Sequence, residues 1–185
     1  MYTRKEIFSI PNIIGYVRIL LIPVFMYFYI SADTLSYYYT ASAIVLVSTF
    51  SDLFDGMIAR KFNMVTELGK LIDPLADKLS HGAMMICLLT RYQAVWLLLG
   101  IFVLKEGFMA IMGLVMLRHN GRKLDGAMWF GKVCTAVLFL TMFALFLIPE
   151  MSTVYVNYLI WLCAAVMLIT LILYIPVFVK MYKEP

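Results

Sequence analysis

The sequence predicts an all-α integral membrane protein with six transmembrane helices and a short N-terminal interfacial helix. Three observations predict it. Of the 185 residues, 64% are hydrophobic and only 14% are charged, so a soluble domain of this length could not clothe itself in polar surface. The apolar residues fall into six runs, each near the roughly 20 residues a spanning helix needs. The breaks between the runs have loop chemistry and carry their charge asymmetrically.

In order, the runs are Ile13–Ile30, Tyr37–Ala59, Leu68–Thr90, Ala94–Leu117, Ala127–Ile148 and Val154–Val179. The breaks are Ser31-Ala32-Asp33, Arg60 to Glu67, Arg91-Tyr92-Gln93, His119 to Lys123, and Pro149-Glu150. Such short connections imply antiparallel neighbours and one membrane-embedded domain over residues 1–185. Before the first run, Tyr2, Ile7, Phe8 and Ile10 interleave with Arg4, Lys5 and Glu6, as in a helix lying on a membrane surface. No small-residue cleavage site interrupts the first run, which reads as a retained span rather than a signal peptide. Cys87, Cys134 and Cys163 sit in apolar context without CxxC spacing, and read as small core residues.

Arg4, Lys5, Arg60, Lys61, Arg118, Arg122, Lys123, Lys180 and Lys183 all fall on one side of a six-span arrangement. The other side has Arg91, with Asp33 and Glu150. The positive-inside rule puts both termini in the cytoplasm of a multi-pass protein of the cell membrane. The net charge of +4 calls for no nucleic acid, since attraction to anionic lipids accounts for it.

Four carboxylates stand out in this apolar chain. Asp52 and Asp55 lie near the end of the second run, Asp73 and Asp77 near the start of the third. At 1.5 Å per residue both pairs fall about 8–12 Å inside the cytoplasmic helix ends. Spacings of i,i+3 and i,i+4 put each pair on one helix face. Four carboxylates at one depth repel one another and cost several kcal/mol each to desolvate, so something must neutralise them. Ion pairing with Arg60, Lys70 and Lys78 is one answer, and a proton or ion path in a transporter is another. A pair of divalent cations clamping a phosphorus centre is the third, with Mg²⁺ suited to an all-oxygen site shared with substrate phosphates.

Spacing narrows these. Asp52, Asp55, Gly56, Ala59, Arg60, Gly69, Asp73 and Asp77 form D-x2-D-G-x2-A-R-x8-G-x3-D-x3-D. At all eight fixed positions this resembles the signature of the CDP-alcohol phosphotransferase family. Eight specified residues coincide by chance on the order of 10⁻¹⁰ per start position. Ile10-Pro11-Asn12, Arg18 and Pro23 extend the resemblance toward the N-terminus.

The resemblance implies a six-helix membrane enzyme that moves a phosphatidyl group from CDP-diacylglycerol to an alcohol and releases CMP. It implies Asp52, Asp55, Asp73 and Asp77 as ligands of a two-metal Mg²⁺ site, with Mn²⁺ as the other candidate, and Asp77 as general base. It implies Gly56, Ala59, Arg60, Thr66 and Gly69 on the nucleotide side, where close helix packing explains the glycines equally well. Asn12 reads equally as a nucleotide contact and as a helix N-cap after Pro11. A homodimer through the later spans is also implied.

The resemblance implies that the choice of acceptor lies in the second half of the chain. Gly131-Lys132-x-x-Thr135 is similar to the GKxKT pattern of phosphatidylglycerophosphate synthases, whose acceptor is glycerol 3-phosphate. Lys105, Lys132 and Arg118 are the candidate acceptor-binding residues; Lys105 has local pairing with Glu106 as its other explanation. The motif's second lysine is Cys134 here, which would suit a less charged acceptor such as phosphatidylglycerol and a cardiolipin synthase. A cation-binding transport or scaffold protein that keeps the aspartates is the remote alternative.

Overall fold

The computed structural model describes residues 8–61, 66, 68–121 and 126–183; the side chains at 52–61, 70 and 120 fall outside that description. The expected N-terminal interfacial helix lies outside it too. Six α-helices are present among the described residues: α1 Ile10–Ile30, α2 Leu35–Lys61, α3 Gly69–Leu89, α4 Val95–Asn120, α5 Trp129–Leu147 and α6 Thr153–Lys183. No strand occurs among the described residues.

Four of the helices, α1, α4, α5 and α6, are long and apolar enough to cross a membrane. The other two are diluted by the residues that make them interesting. The polar content of α2 includes Ser36, three tyrosines, Ser48, Ser51 and both aspartates, and that of α3 includes Asp73, Asp77, Lys78 and His81. Large apolar side chains point outward all along the apolar helices, among them Leu20 (68% exposed), Ile111 (62%) and Ile172 (62%). That is the surface of a multi-pass membrane protein, whose solvent is hydrocarbon.

The chain divides into two compact units, Met1–Thr90 and Arg91–Pro185. In the first, α1 packs against both α2 and α3. Its buried positions, Pro11, Gly15, Arg18, Phe25 and Tyr29, recur at the 3.5-residue spacing of a helix–helix seam. Gly69, Ile72, Ala76, Ala83 and Cys87 make the corresponding stripe on α3. Asp73 and Asp77 each follow a stripe residue by one, which sets them at the seam's edge, half-buried. On α2 the buried stripe is Ala41, Val45 and Ser48. Tyr29 on α1 meets Tyr38 on α2 edge-to-face at 5.1 Å, beside the short connection between the two helices.

Several hydroxyls of α2 are satisfied within the helix. Thr40 Oγ1 donates to the Ser36 carbonyl, Ser42 Oγ to Tyr38 and Thr49 Oγ1 to Val45, at 2.8–2.9 Å. These bonds spare those three donors the cost of facing an apolar medium unpaired.

In the second unit α6 packs against α4 and α5. Met116, Tyr174 and Phe178 form one cluster of its core, with Phe108, Met112 and Phe130 around them. Gly131 of α5 admits the Tyr174 ring: a Cβ there would collide with the hydroxyl and lie 3.1 Å from Cζ. Gly121 ends α4 in the left-handed region at φ 67°, the usual place for a glycine cap. Cys87, Cys134 and Cys163 are buried free thiols, as their apolar context predicts.

Candidate active site

The N-terminal turns of α3 lie along α1, and the contacts are specific. Helix α1 opens with Ser9 as N-cap and Pro11 in the first turn, where a missing N–H costs nothing. This corrects the capping alternative for Asn12: the N-cap position is Ser9, three residues earlier, and Asn12 sits inside the first turn, 1% exposed. Its Oδ1 accepts from Thr66 Oγ1 at 3.1 Å, and Thr66 Oγ1 accepts from the Gly69 N–H at 2.9 Å. Thr66 thus satisfies a backbone donor at the start of α3, while tying it to α1. A Cβ on Gly69 would lie 2.7 Å from Asn12 Oδ1 and 3.1 Å from Thr66 Oγ1, so this glycine exists to let the two strands of contact close.

One turn along, Gly15 faces Ile72 and Asp73. A Cβ at Gly15 would stand 2.8 Å from Ile72 Cγ2 and 3.8 Å from Asp73 Oδ1. A further turn along, Arg18 Nη2 donates to Asp77 Oδ1 at 2.5 Å. The Arg18 side chain is 4% exposed and that of Asp77 45%. Asp73 lies in the field of both the Arg18 guanidinium and the Asp77 carboxylate. Asn12, Gly15 and Arg18, at i, i+3 and i+6, therefore form one face of α1 matched to Gly69, Asp73 and Asp77.

Of the candidate residues, Asn12, Thr66, Gly69, Asp73 and Asp77 come together at this seam. Asp52, Asp55, Gly56, Ala59 and Arg60 lie on the last turns of α2, and their side chains fall outside the described residues. Arg18 and Gly15 are contributions that the aspartate motif does not contain. The available signal was an arginine inside an otherwise apolar first run, at helical spacing from Asn12; an ionisable group in a span points to a site.

The donor set fits a hard divalent cation in chemistry: Asp73 and Asp77 would offer oxygen-only ligands from neighbouring turns, and both side chains are partly exposed. No group of three His, Cys, Asp or Glu side chains forms among the described residues, which include two of the four aspartate side chains.

The acceptor candidates all belong to the second unit. Lys105 is buried on α4 and bonds Glu106 Oε1 at 2.6 Å. Arg118, in the last turn of α4, and Lys132, on α5, are exposed. Thr135 Oγ1 donates to the Gly131 carbonyl at 3.1 Å. Within the Gly131–Thr135 pattern, then, the glycine makes room for Tyr174 and the threonine is bonded to its own helix.

The CDP-alcohol phosphatidyltransferase family model matches residues 8–179, and the chain belongs to that family. Its chemistry is phosphatidyl transfer. Among its relatives, a probable phosphatidylglycerophosphate synthase of Mycobacterium tuberculosis is 29% identical over 167 residues, 89% of this chain and 78% of the relative. A CDP-diacylglycerol–glycerol-3-phosphate 3-phosphatidyltransferase of Shigella flexneri is 28% identical over 162 residues, covering 86% of this chain and 88% of the relative. A cardiolipin synthase (CMP-forming) / mitochondrial hydrolase fusion protein of Schizosaccharomyces pombe is 41% identical over 90 residues, 48% of this chain and 14% of the relative.

Proposed function

We propose that this protein transfers the phosphatidyl group of CDP-diacylglycerol to glycerol 3-phosphate, releasing CMP, at a Mg²⁺-dependent site on the cytoplasmic side of the cell membrane. The observation that carries the chemistry is the half-exposed Asp73–Asp77 pair at the α1–α3 seam, within a family match that spans nearly the whole chain. The acceptor follows the relatives of Mycobacterium tuberculosis and Shigella flexneri, whose alignments each cover most of this chain.

In this proposal the nucleotide lies against the glycine-bearing surfaces of α2 and α3, near Asn12, Thr66 and Gly69, with Arg60 toward the diphosphate. Asp52, Asp55, Asp73 and Asp77 would hold two Mg²⁺ ions, which when bound supply charge neutralisation at the transferring phosphoryl group. Asp77 takes the proton from the acceptor hydroxyl as that oxygen attacks phosphorus in line. The new P–O bond forms as the bond to CMP breaks, and CMP leaves with the negative charge. Lys105, Lys132 and Arg118 meet the phosphate of the acceptor.

All six helices span the bilayer in this arrangement, with both termini in the cytoplasm, and two copies pair through the later helices. The internal hydroxyl bonding of α2 supports its place in a membrane despite its polar content. Phosphatidylglycerol as acceptor, making the product cardiolipin, is the second reading, favoured by Cys134 at the position of a motif lysine and by the fission-yeast relative.

The test is CMP release by the purified protein from CDP-diacylglycerol, with glycerol 3-phosphate and phosphatidylglycerol assayed side by side and the lipid products identified. Release with glycerol 3-phosphate alone upholds the first reading, and release with phosphatidylglycerol alone replaces it with the second. No CMP from either, with Mg²⁺ or Mn²⁺ present, would defeat both.

A further inference from the structure

The eight-residue motif lies wholly on α2, α3 and the stretch between them, yet the first charged partner of Asp77 comes from α1, 59 residues away. We propose that Arg18 is the positioning residue for Asp77: its guanidinium fixes one carboxylate oxygen, so that the other is presented to the acceptor hydroxyl.

Three observations converge on this. Arg18 is 4% exposed in a helix otherwise apolar enough to span a membrane, where burying a guanidinium costs several kcal/mol unless it is paired. A leucine or methionine would pack that seam without the cost, so helix association alone does not call for arginine. Next, the pair is lopsided. The cation is enclosed while Asp77 keeps 45% of its side chain open, so the bond orients the carboxylate without sealing it. Finally, the approach is built in from below. Gly15, one turn before Arg18, lacks the Cβ that would press on Ile72 at 2.8 Å, and so lets α1 come close enough for the guanidinium to reach α3. Arginine rather than lysine suits the task, because the planar guanidinium points its N–H bonds in fixed directions where an ammonium supplies only a point charge.

The proposal rests on Asp77 being the general base, and the experiment separates the two. Arg18→Gln, Arg18→Lys, Asp77→Asn and the Arg18→Gln/Asp77→Asn double variant are compared as full-length protein. The readouts are kcat and KM with CDP-diacylglycerol and glycerol 3-phosphate (or phosphatidylglycerol, whichever the parent protein uses), CDP affinity by calorimetry, and the thermal midpoint. Arg18→Gln is expected to lower kcat about 100-fold, the scale of a misplaced catalytic group. Its KM and CDP affinity stay within about threefold of the parent, since ground-state binding is not what it supplies. Arg18→Lys recovers part of kcat. In the Asp77→Asn background, removing Arg18 causes no further loss of the residual rate, because two residues acting as one unit are not additive.

Near-normal kcat in Arg18→Gln, with Asp77→Asn inactive, overturns the positioning role and leaves the base in place. Losses that multiply in the double variant overturn it as well. Near-normal turnover in Asp77→Asn instead removes the general base itself. Should Arg18→Gln fail to fold, Arg18→Lys decides: full kcat at an unchanged thermal midpoint would mean that charge alone matters and orientation does not.

Discussion

Gly69 and Asn12 stand so close that no side chain fits between them: a Cβ on the glycine would lie 2.7 Å from the asparagine Oδ1. Because Asn12 is itself buried and bonded to Thr66, it cannot simply swing aside. Gly69→Ala should therefore part α1 from α3 at the start of α3, costing about 1–3 kcal/mol of stability. Thermal unfolding of the purified variant checks this, and Asn12→Ala/Gly69→Ala, which removes the obstructing amide, should recover part of the loss. No recovery would mean that the obstruction lies elsewhere.

Asp77→Asn keeps the shape of the side chain and removes its basicity. Turnover should fall at least about 100-fold, the lower end of general-base contributions, while binding of CDP-diacylglycerol is largely kept. Steady-state CMP release and a lipid-binding titration together measure both halves of that expectation.

Gly131 and Tyr174 make a second test, directed at the pattern from which the acceptor is inferred. The glycine admits the tyrosine ring, so Gly131→Ala should destabilise the second unit by about 1–3 kcal/mol through overpacking. Tyr174→Phe removes the nearest obstructing atom and should offset part of that in the double variant. The KM for acceptor in variants that remain folded should not follow the thermal midpoint. If it rises in every Gly131 variant regardless of stability, the glycine belongs to the acceptor site and not only to packing.

Lys105 and Glu106 test the buried ion pair on α4. Lys105→Met leaves a half-buried carboxylate without this cation and should cost up to about 3–5 kcal/mol. Lys105→Met/Glu106→Gln should be the more stable of the two variants. Acceptor KM separates the roles. A rise in both variants assigns Lys105 to acceptor binding, whereas a rise that vanishes in the stabilised double variant makes the lysine structural.

Much of this protein was legible along the chain because its solvent is apolar. Hydrophobic run lengths marked the helices, and Asp52, Asp55, Asp73 and Asp77 stood out since carboxylates in such runs are too costly to be incidental. The spacing of those residues was local, set by 3.6 residues per turn, and so carried the family chemistry. The helix boundaries were less visible. Asn12 read equally as an N-cap after Pro11, but the N-cap position is Ser9, and the extra turn is what places Asn12 against Thr66.

What the sequence alone determined, then, was the all-helical architecture, the family and the aspartate motif, because these depend on composition and on contacts within a turn or two. Only the tertiary structure brought Arg18 to Asp77, gave Gly15 and Gly69 their close approaches, and gave Gly131 its place against Tyr174. Those relationships join helices far apart in sequence, and no periodicity within one helix specifies which face of another it will meet.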